Sequence, residues 1–205
     1  MSDEEKYDLS VIIPTYNEAE NIGEILRAIQ RNLNYYDIKW EIIVVDDNSP
    51  DGTMDIVQSF GHENIRVLVR TTDRGLSQSV VHGFKHAKSD ICVVMDADFS
   101  HPPQKIYKLY KEIKENGADI SLGCRYMPGG EIKGWGLDRT LISGGATALA
   151  RILFPCIRDP GSGFFVIRKS ILEGADLRPT GYKMLIEILG KCKYDKVVEI
   201  PRSEE

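Results

Sequence analysis

The sequence predicts an α/β fold in which helices cover a predominantly parallel β-sheet, and two patterns support this. Short runs rich in valine and isoleucine recur up to residue 123, and they are continuously apolar rather than alternating. Such runs are typical of strands that are buried on both faces of a parallel sheet. The runs occupy residues 9–14, 41–46, 65–69, 91–96 and 119–123.

The second pattern is helical spacing between these runs. Apolar side chains recur on one face of the first intervening segment, at Ile22, Ile25, Leu26, Ile29 and Leu33. Further helical patterns cover residues 53–60, 77–87, 103–116 and 181–192. Alternating strands and helices predict right-handed crossovers. Because ligands bind beyond the carboxyl ends of such strands, the residues that follow each run are the candidate site residues.

Composition restricts the possible functions. The chain has 205 residues, of which 42% are hydrophobic, so we expect one domain that spans residues 1–205. A net charge of −5 argues against nucleic-acid binding, which needs a clustered excess of lysine and arginine. The four cysteines are scattered, which favours a reducing compartment over a disulfide framework.

The two ends of the sequence give different signals. Residues 1–8 lack the apolar segment of a signal peptide, and no run reaches the roughly 18 apolar residues of a membrane-spanning helix. At the other end, the strand-like segment KVVEIP is followed at once by the last four residues, RSEE. We therefore expect the domain to be truncated, with further segments beyond residue 205 in the natural chain.

Polar residues follow the first two predicted strands. The segment PTYNE (14–18) lacks the glycine-rich turn with which dinucleotide-binding folds approach a pyrophosphate, so a nicotinamide dehydrogenase is disfavoured. Asp46 and Asp47 end the second run, and we interpret Ser49 and Asp51 behind them as turn and helix-capping residues. Asp47 is a stronger ligand candidate, because adjacent carboxylates repel each other unless one meets a donor such as a base or a ribose.

The fourth run leads directly into Asp96 and Asp98. Residues two apart on an extended segment point the same way, so both carboxylates can face one ligand. Mg²⁺ and Mn²⁺ accept one or two protein carboxylates and complete their shells with phosphates and water. His101 is either a further ligand or a cap of the turn before Pro102, and we favour the cap.

The fifth run is followed by Arg125, and Arg139 lies beyond a glycine-rich segment at 129–136. An arginine after a strand is suited to hold phosphate, because its planar guanidinium binds two oxygens at once, although solvation at the surface is the commoner role. The glycine-rich segment is either a linker or a lid over the substrate.

Residues 141–157 form a long apolar segment, LISGGATALARILFPCI, which contains Arg151 and two consecutive glycines. The segment is too short and too interrupted to span a bilayer. It predicts either a buried core helix or an amphipathic helix that touches lipid. The segment DPGSGFFVIRK (159–169) then predicts a tight turn that enters a strand.

Taken together, these motifs resemble the dolichyl-phosphate (polyprenyl-phosphate) mannosyltransferases of the inverting glycosyltransferase family two. The match is collinear over residues 9–201 and includes VIIPTYNEAENI, EIIVVDDNSPDGT, RGLSQSVVHGFKHA, VVMDADFSHPP, LGCRYMPGG and DPGSGFFVIRK. The resemblance implies a GT-A fold with a Rossmann-like nucleotide-binding half. It also implies transfer of mannose from GDP-mannose to dolichyl or another polyprenyl phosphate, with inversion, for glycosylation.

The resemblance also implies a role for individual residues on the donor side. Contacts with the nucleotide sugar fall on Pro14, Tyr16, Glu18, Val45, Asp47, Asp96, Ala97, Asp98, Ser100 and Arg125. The metal, Mg²⁺ or Mn²⁺, would be held by Asp98 and Ser100 together with Asp96. Ser100 stands where some relatives carry glutamine.

On the acceptor side, the resemblance assigns the lipid phosphate to Arg139 and Ser143, and the catalytic residues to Asp98, Arg125 and Arg139. It places the domain at the cytoplasmic face of a membrane, with an anchoring segment or subunit that this chain does not include. In the family a basic loop ending in Gly-Glu-Ser-Lys follows the last strand, whereas this chain stops. Gly144 also stands where a basic residue is common, so we expect weakened activity.

Three alternatives stay open at this point. A UDP-sugar donor, as in the polyprenyl-phosphate glucosyltransferases, would keep the fold and change the base. A saccharide acceptor would need a carboxylate base, for which Asp159 and Glu187 are candidates. A module that binds nucleotide sugars without catalysis would bind GDP and metal but transfer nothing.

Overall fold

The computed structural model describes residues 7–127, 150–178, 181 and 183–202. Its centre is a seven-stranded sheet with the order β3-β2-β1-β4-β6-β5-β7. The strands are β1 Leu9–Thr15, β2 Trp40–Asp46, β3 Ile65–Val69, β4 Ile91–Val94, β5 Ile120–Cys124, β6 Phe165–Arg168 and β7 Val197–Pro201. All neighbouring strands are parallel except β6, which is antiparallel to both β4 and β5. The predominantly parallel α/β sheet predicted from the apolar runs is therefore confirmed.

Helices cover the sheet between these strands. Their bounds are α1 Ala19–Tyr35, α2 Thr53–Ser59, α3 Leu76–His86, α4 Ile106–Lys114, α5 at 150–153 and α6 Met184–Lys191, with short 3₁₀ turns at Pro103–Lys105 and Lys169–Leu172. The five predicted helical patterns all coincide with helices, and the bounds of the four later ones differ from the predictions by at most three residues. None of the described helices combines the length and the apolar content needed to cross a membrane.

Two apolar clusters fill the space between sheet and helices, one on each face of the sheet. Along β1, Val11 and Ile13 belong to the cluster under α1 and α4, while Ile12 belongs to the cluster under α3 and α6. This alternation explains why the strands are continuously apolar, because both of their faces are buried. The edge strand β3 departs from the expectation, since Ile65 is its one buried residue and the others are partly or fully exposed.

Close packing between α3 and the sheet depends on a glycine. A Cβ atom at Gly83 would lie 3.1 Å from Ile12 Cγ1 and closer still to Ile12 Cγ2. Ile12 is fully buried in the middle strand, so it has little room to move away. Gly83 thus lets α3 approach β1 more closely than any other residue would allow.

We predict that Gly83→Ala destabilises the protein by about 1–3 kcal/mol, because overpacking against Ile12 outweighs the better helix propensity of alanine. Urea denaturation followed by circular dichroism measures the change. Gly23→Ala in α1 is the matched control, since its Cβ would meet neighbours only at 3.6 Å, and it should be neutral or stabilising. Equal stability of the two variants would contradict this account of the packing.

Candidate active site

The candidate site lies at one edge of the sheet. Strands β1, β2, β4 and β5 are mutually parallel in direction, so their carboxyl ends meet at this edge. The strand order turns back between β1 and β4, which is where open α/β sheets bind ligands. Antiparallel β6 starts at the same edge, and it brings the turn at 159–164 there as well.

The loops after β1 and β2 are tied together by side-chain caps. The backbone N–H of Asn17 donates to Ser49 Oγ at 2.9 Å, and that of Glu18 donates to Thr53 Oγ1 at 3.0 Å. Asp51 accepts from the N–H of Ala19 at the start of α1 and from the N–H of Thr53 at the start of α2. The predicted capping roles of Ser49 and Asp51 are therefore observed. The Tyr16 side chain, in the first of these loops, is 55% exposed at the edge of the sheet.

The two adjacent aspartates are both satisfied within the protein. Asp46 is fully buried and accepts hydrogen bonds from the hydroxyls of Thr15 and Ser49. Asp47 Oδ1 accepts from Arg70 Nη1 and from Ser79 Oγ, both at 2.9 Å, while Oδ2 accepts from the N–H of Gly75 at 2.7 Å. The hydrogen-bond donors that Asp47 was expected to need are thus supplied by the protein itself.

Arg70 is the residue of this network that the sequence did not suggest. Its guanidinium is 9% exposed, pairs with Asp47 and also donates to the carbonyl oxygen of Asp73. The loop from β3 to α3 is therefore wrapped around the arginine. Its position directly after β3 could have identified Arg70 as a candidate, because the same kind of position identified Arg125 after β5.

Among the described residues, the contacts leave Asp47 one acceptor position. A carboxylate offers about four lone-pair positions, and three of those on Asp47 are used by Arg70, Ser79 and Gly75. A ligand that reaches Asp47 can therefore donate one hydrogen bond to Oδ2. This arrangement fixes the direction of the carboxylate before any ligand binds.

Asp96 and Asp98 lie just past the end of β4, which stops at Val94 rather than continuing to residue 96 as predicted. Asp98 instead begins a tight turn in which its Oδ1 accepts from the N–H of Ser100 at 2.9 Å, and Phe99 has a positive φ of 57°. The two carboxylates are thus placed by a turn and not by the alternation of an extended strand.

Their surroundings shift the pKa values of Asp96 and Asp98 in opposite directions. Burial raises the pKa of Asp96, and the nearby His101 offsets this only in part. Partial desolvation also acts on Asp98, but hydrogen bonds from the Ser100 hydroxyl and N–H outweigh it and lower the pKa of Asp98. The pKa of Glu18 is raised by burial and further by the charges of Asp98 and Asp96, so this predicted residue belongs to the same cluster.

His101 acts as a structural cap, as favoured from the sequence. Its buried ring accepts a hydrogen bond at Nδ1 from the N–H of Asp96 at 2.9 Å and stacks on Phe164. Burial lowers its pKa, which keeps the ring neutral. Gly163 gives the ring room, because a Cβ there would lie only 3.1 Å from His101 Cε1.

Arg125 forms an ion pair with a buried carboxylate of the protein. Its Nε and Nη2 donate to the two carboxylate oxygens of Asp159 at 2.8 and 2.7 Å. Asp159 is fully buried, and its own N–H donates to Glu199 on β7. The guanidinium is thereby held rigidly at the edge of the sheet, with a raised pKa that is due first to the hydrogen bonds from Asp159.

Asp159 and Glu187 were the candidate bases for a saccharide acceptor, and both carboxylates are engaged elsewhere. Asp159 faces Arg125, as described above. Glu187 Oε1 accepts from Lys191 Nζ at 2.8 Å on the exposed side of α6. The described part of the chain therefore gives little support to a saccharide acceptor.

A further cation reaches the cluster from β7. Arg202 follows this strand directly, and its Cγ lies 3.4 Å from the position of a Cβ on Gly123. Burial and the neighbouring Arg125 lower the pKa of Arg202, while Asp159, Asp98 and Asp96 act in the opposite sense. The sequence suggested no role for Arg202, although this residue follows a strand directly, as the other candidate site residues do.

Some predicted residues do not present exposed side chains at this edge. Pro14 and Val45 are neighbours in the β1–β2 register, and both are buried, as is Ala97. Arg139, Ser143 and the glycine-rich segment at 129–136 lie outside the described residues. The ligand contacts assigned to all of these positions stay predictions.

We predict that Arg70→Met destabilises the protein by about 3–5 kcal/mol, because it leaves the buried Asp47 carboxylate without its counter-charge. Ser79→Ala removes one neutral donor and should cost about 1 kcal/mol. Arg27→Met is the control, since Arg27 forms an exposed pair with Glu24 that should contribute less than about 1 kcal/mol. Urea denaturation ranks the three variants, and an Arg70 variant as stable as the Arg27 variant would refute this order.

Comparison with known proteins agrees with this architecture. The family model described as Glycosyl transferase family 2 matches residues 10–174. Among solved structures, glucosyl-3-phosphoglycerate synthase from Mycobacterium tuberculosis superposes with a TM-score of 0.73 at 19% identity, over 97% of this chain and 73% of that one. At such low identity this likeness concerns the fold alone, and it confirms the expected GT-A fold.

Curated relatives are closer in sequence. A dolichol-phosphate mannosyltransferase from Pyrococcus furiosus is 50% identical over 94% of this chain, which spans only 55% of that relative's length. One of the same name from Saccharomyces cerevisiae is 39% identical over 90% of this chain and 70% of its own length. The chain therefore belongs to glycosyl transferase family 2 and, within it, to the family of the dolichol-phosphate mannosyltransferases.

Proposed function

We propose that the protein transfers mannose from GDP-mannose to dolichyl or another polyprenyl phosphate, with inversion at the sugar carbon. The observation that carries this proposal is the 50% identity to a dolichol-phosphate mannosyltransferase over nearly the whole chain. The geometry supports it, because the residues implied for the donor lie at one edge of the sheet.

The residues after β4 suit a divalent metal. Among the described residues no three His, Cys, Asp or Glu side chains form a group that could hold an ion, and the described residues after β4 offer the two carboxylates of Asp96 and Asp98. This donor set fits Mg²⁺ or Mn²⁺, which bind one or two carboxylates and take phosphate oxygens as further ligands. We infer that Asp98, Asp96 and Ser100 would hold the ion, and bound metal would neutralise the diphosphate leaving group. Glucosyl-3-phosphoglycerate synthase from M. tuberculosis, which has the same fold, has been solved in complex with Mn²⁺ and UDP-glucose.

Arg125 would complete the charge balance on the donor. Asp159 holds its guanidinium in one orientation, so little reorganisation is needed when negative charge develops on the leaving diphosphate. Asp159 thus acts as a positioning residue through Arg125. The buried pair also explains why an arginine is better suited here than a lysine, which cannot bind both carboxylate oxygens in a fixed fork.

The acceptor would be a lipid phosphate held by Arg139 and Ser143. One of its oxygens attacks the anomeric carbon from the face opposite to the diphosphate, the carbon–oxygen bond to GDP breaks, and the configuration inverts. A phosphate monoester is already anionic near neutral pH, so positioning and electrostatics suffice and no general base is assigned. Such an acceptor places the reaction at a membrane surface, and we propose its cytoplasmic face.

A UDP-sugar donor is the second candidate, because the hydrogen bonds of Asp47 are compatible with either base. The single free acceptor position on Oδ2 can meet the N1–H of guanine or the N3–H of uracil equally well. Adenine and cytosine carry acceptors at the corresponding ring positions and would be rejected. Calorimetric titration with GDP-mannose and with UDP-glucose decides between the two donors, and a clear preference for UDP-glucose would overturn the proposed substrate.

We predict that Asp98→Ala abolishes metal-dependent mannose transfer, with a loss on the order of 100-fold or more, because the metal loses its most exposed carboxylate. Calorimetric titration of GDP-mannose with and without Mn²⁺ shows whether the metal-dependent part of the affinity is lost as well. Asp55→Ala, at an exposed position on α2, is the matched control. Near-normal turnover of the Asp98 variant would exclude the assigned metal site.

We predict that Arg139→Ala weakens binding of the acceptor but not of the donor. The apparent KM for the polyprenyl phosphate should rise roughly 10- to 100-fold, as expected for the loss of a charged hydrogen bond, while the affinity for GDP-mannose stays unchanged. Arg178→Ala is the control, because its side chain is 78% exposed and pairs only with the equally exposed Asp176 among described contacts. If GDP-mannose affinity falls instead, Arg139 belongs to the donor site.

A further inference from the structure

Phe99 differs from the other residues that have an unusual backbone conformation. Besides glycines, five described residues have a positive φ, and four of them are asparagine or aspartate, at Asn17, Asp37, Asn48 and Asp73. These two residue types adopt the left-handed region at low cost. The fifth is Phe99, with a φ of 57°, and phenylalanine has no such preference. The protein therefore keeps an aromatic residue where the backbone disfavours one.

The turn after β4 determines this conformation. Asp98 Oδ1 accepts a hydrogen bond from the N–H of Ser100, and His101 Nδ1 accepts one from the N–H of Asp96, both at 2.9 Å. His101 is buried, so the turn is anchored in the protein. Asparagine or glycine at position 99 would suit this backbone better than phenylalanine does. The turn therefore explains the conformation of residue 99 but not its residue type.

Packing does not explain the residue type either. Phe99 is 46% exposed and belongs to neither of the two apolar clusters that fill the space between sheet and helices. Its neighbours Asp98 and Ser100 are exposed as well. Residues that are held in a disfavoured backbone conformation occur mainly at active sites and ligand contacts. An exposed aromatic ring in such a conformation, at the ligand edge of the sheet, thus indicates contact with an apolar part of a ligand.

The same turn lies close to a group suited to bind phosphate. The ring of His101 stacks on Phe164, with 5.2 Å between the ring centres. Phe164 ends the turn at 159–164, and Asp159 at the start of that turn holds the guanidinium of Arg125. Phe99 therefore lies between the candidate metal ligands on its own turn and a fixed cation on the neighbouring one.

The proposed reaction indicates which part of a ligand would meet the ring. With the metal on Asp98 and Ser100, the donor diphosphate lies beside Phe99, and the acceptor phosphate must come within bonding distance of the sugar carbon next to it. The carbon chain that this phosphate carries then begins near Phe99. The donor consists of hydroxyls, phosphates and a base, whereas a prenyl chain is apolar throughout. The prenyl chain is accordingly the matching partner for the ring.

We propose that Phe99 contacts the first isoprene units of the acceptor and thereby makes the protein select prenyl phosphates over polar phosphate monoesters. The inference rests on the proposed function, from which it takes the metal site and the class of acceptor. A single apolar contact of this kind discriminates between substrates by about tenfold or somewhat more. Phe99 would act on the chain, in which the two classes of acceptor differ, and not on the phosphate that they share.

Two small phosphate monoesters test this contact without a membrane. Geranyl phosphate carries a short prenyl chain, and methyl phosphate has the same charged group without one. Calorimetric titration in the presence of GDP and Mn²⁺ measures the affinity for each, and the wild-type protein should bind geranyl phosphate more tightly. Phe99→Asn should weaken binding of geranyl phosphate by about tenfold and leave binding of methyl phosphate unchanged, since only the apolar contact is lost. The ratio of kcat/KM values for mannose transfer to the two acceptors should fall by the same factor.

Stability provides a readout that separates this role from a structural one. In urea denaturation, Phe99→Asn should have a midpoint at or above that of the wild type, because asparagine adopts the left-handed conformation more readily. Phe99→Leu keeps an apolar side chain and should retain most of the affinity for geranyl phosphate. Tyr35→Asn is the matched control, because it removes a ring that is 81% exposed where α1 ends, at the opposite edge of the sheet. It should change neither affinity.

Four results would overturn the proposal. The first is a wild-type protein that binds geranyl phosphate no more tightly than methyl phosphate, and the second is a Phe99→Asn variant that binds geranyl phosphate as the wild type does. The third is a Phe99→Asn variant that loses affinity for GDP-mannose but not for GDP, since the ring would then contact the sugar. The fourth is a clear loss of stability in that variant, because the ring would then serve packing. Binding of geranyl phosphate that depends on Phe99, without any transfer of mannose, would leave the contact in place and refute the proposed function instead.

Discussion

The backbone hydrogen bonds that pair β1 with β2 on one side and with β4 on the other determine where every candidate functional residue lies. These parallel pairings bring the loops after the strands to one edge, where the strand order reverses between β1 and β4 and where open α/β sheets bind ligands. Tyr16 and Glu18 follow β1, and Asp96 and Asp98 follow β4. Antiparallel β6 also begins at this edge, and the turn in front of it places Asp159 beside Arg125.

Two charged pairs then give this edge its fixed geometry. Asp47 with Arg70 and Arg125 with Asp159 are both largely buried, with N–O distances of 2.9 and 2.7 Å. A buried ion pair contributes little net stability when both partners are present, but loss of one partner is costly. The main effect of such pairs is therefore to fix the orientation of their two side chains. They hold the Asp47 carboxylate and the Arg125 guanidinium in fixed orientations at this edge of the sheet before any ligand binds.

The fold and part of the site were predictable from sequence, because they depend on local patterns. Continuous apolar runs such as 41–46 indicate strands buried on both faces, and residues after such runs must lie at the ligand edge. The partners of Asp47 and Arg125 were not predictable, since Arg70 and Asp159 are 23 and 34 residues away and only the tertiary structure brings them close. The turn at Asp98 escaped prediction for a different reason: Phe99 adopts a left-handed conformation that its residue type does not favour. Val45 was assigned from resemblance, and in the structure it is a core residue.

The Arg125–Asp159 pair has one more consequence, which concerns how this architecture can vary. The two residues are 34 positions apart, and their contact closes the intervening chain into a loop whose ends are fixed on β5 and in front of β6. Closure entropy grows slowly with chain length, by about 0.6 kcal/mol for each doubling, so a longer or shorter chain between these ends would disturb the sheet little. The chain between the two residues can thus change in length while the residues at the strand ends keep their positions.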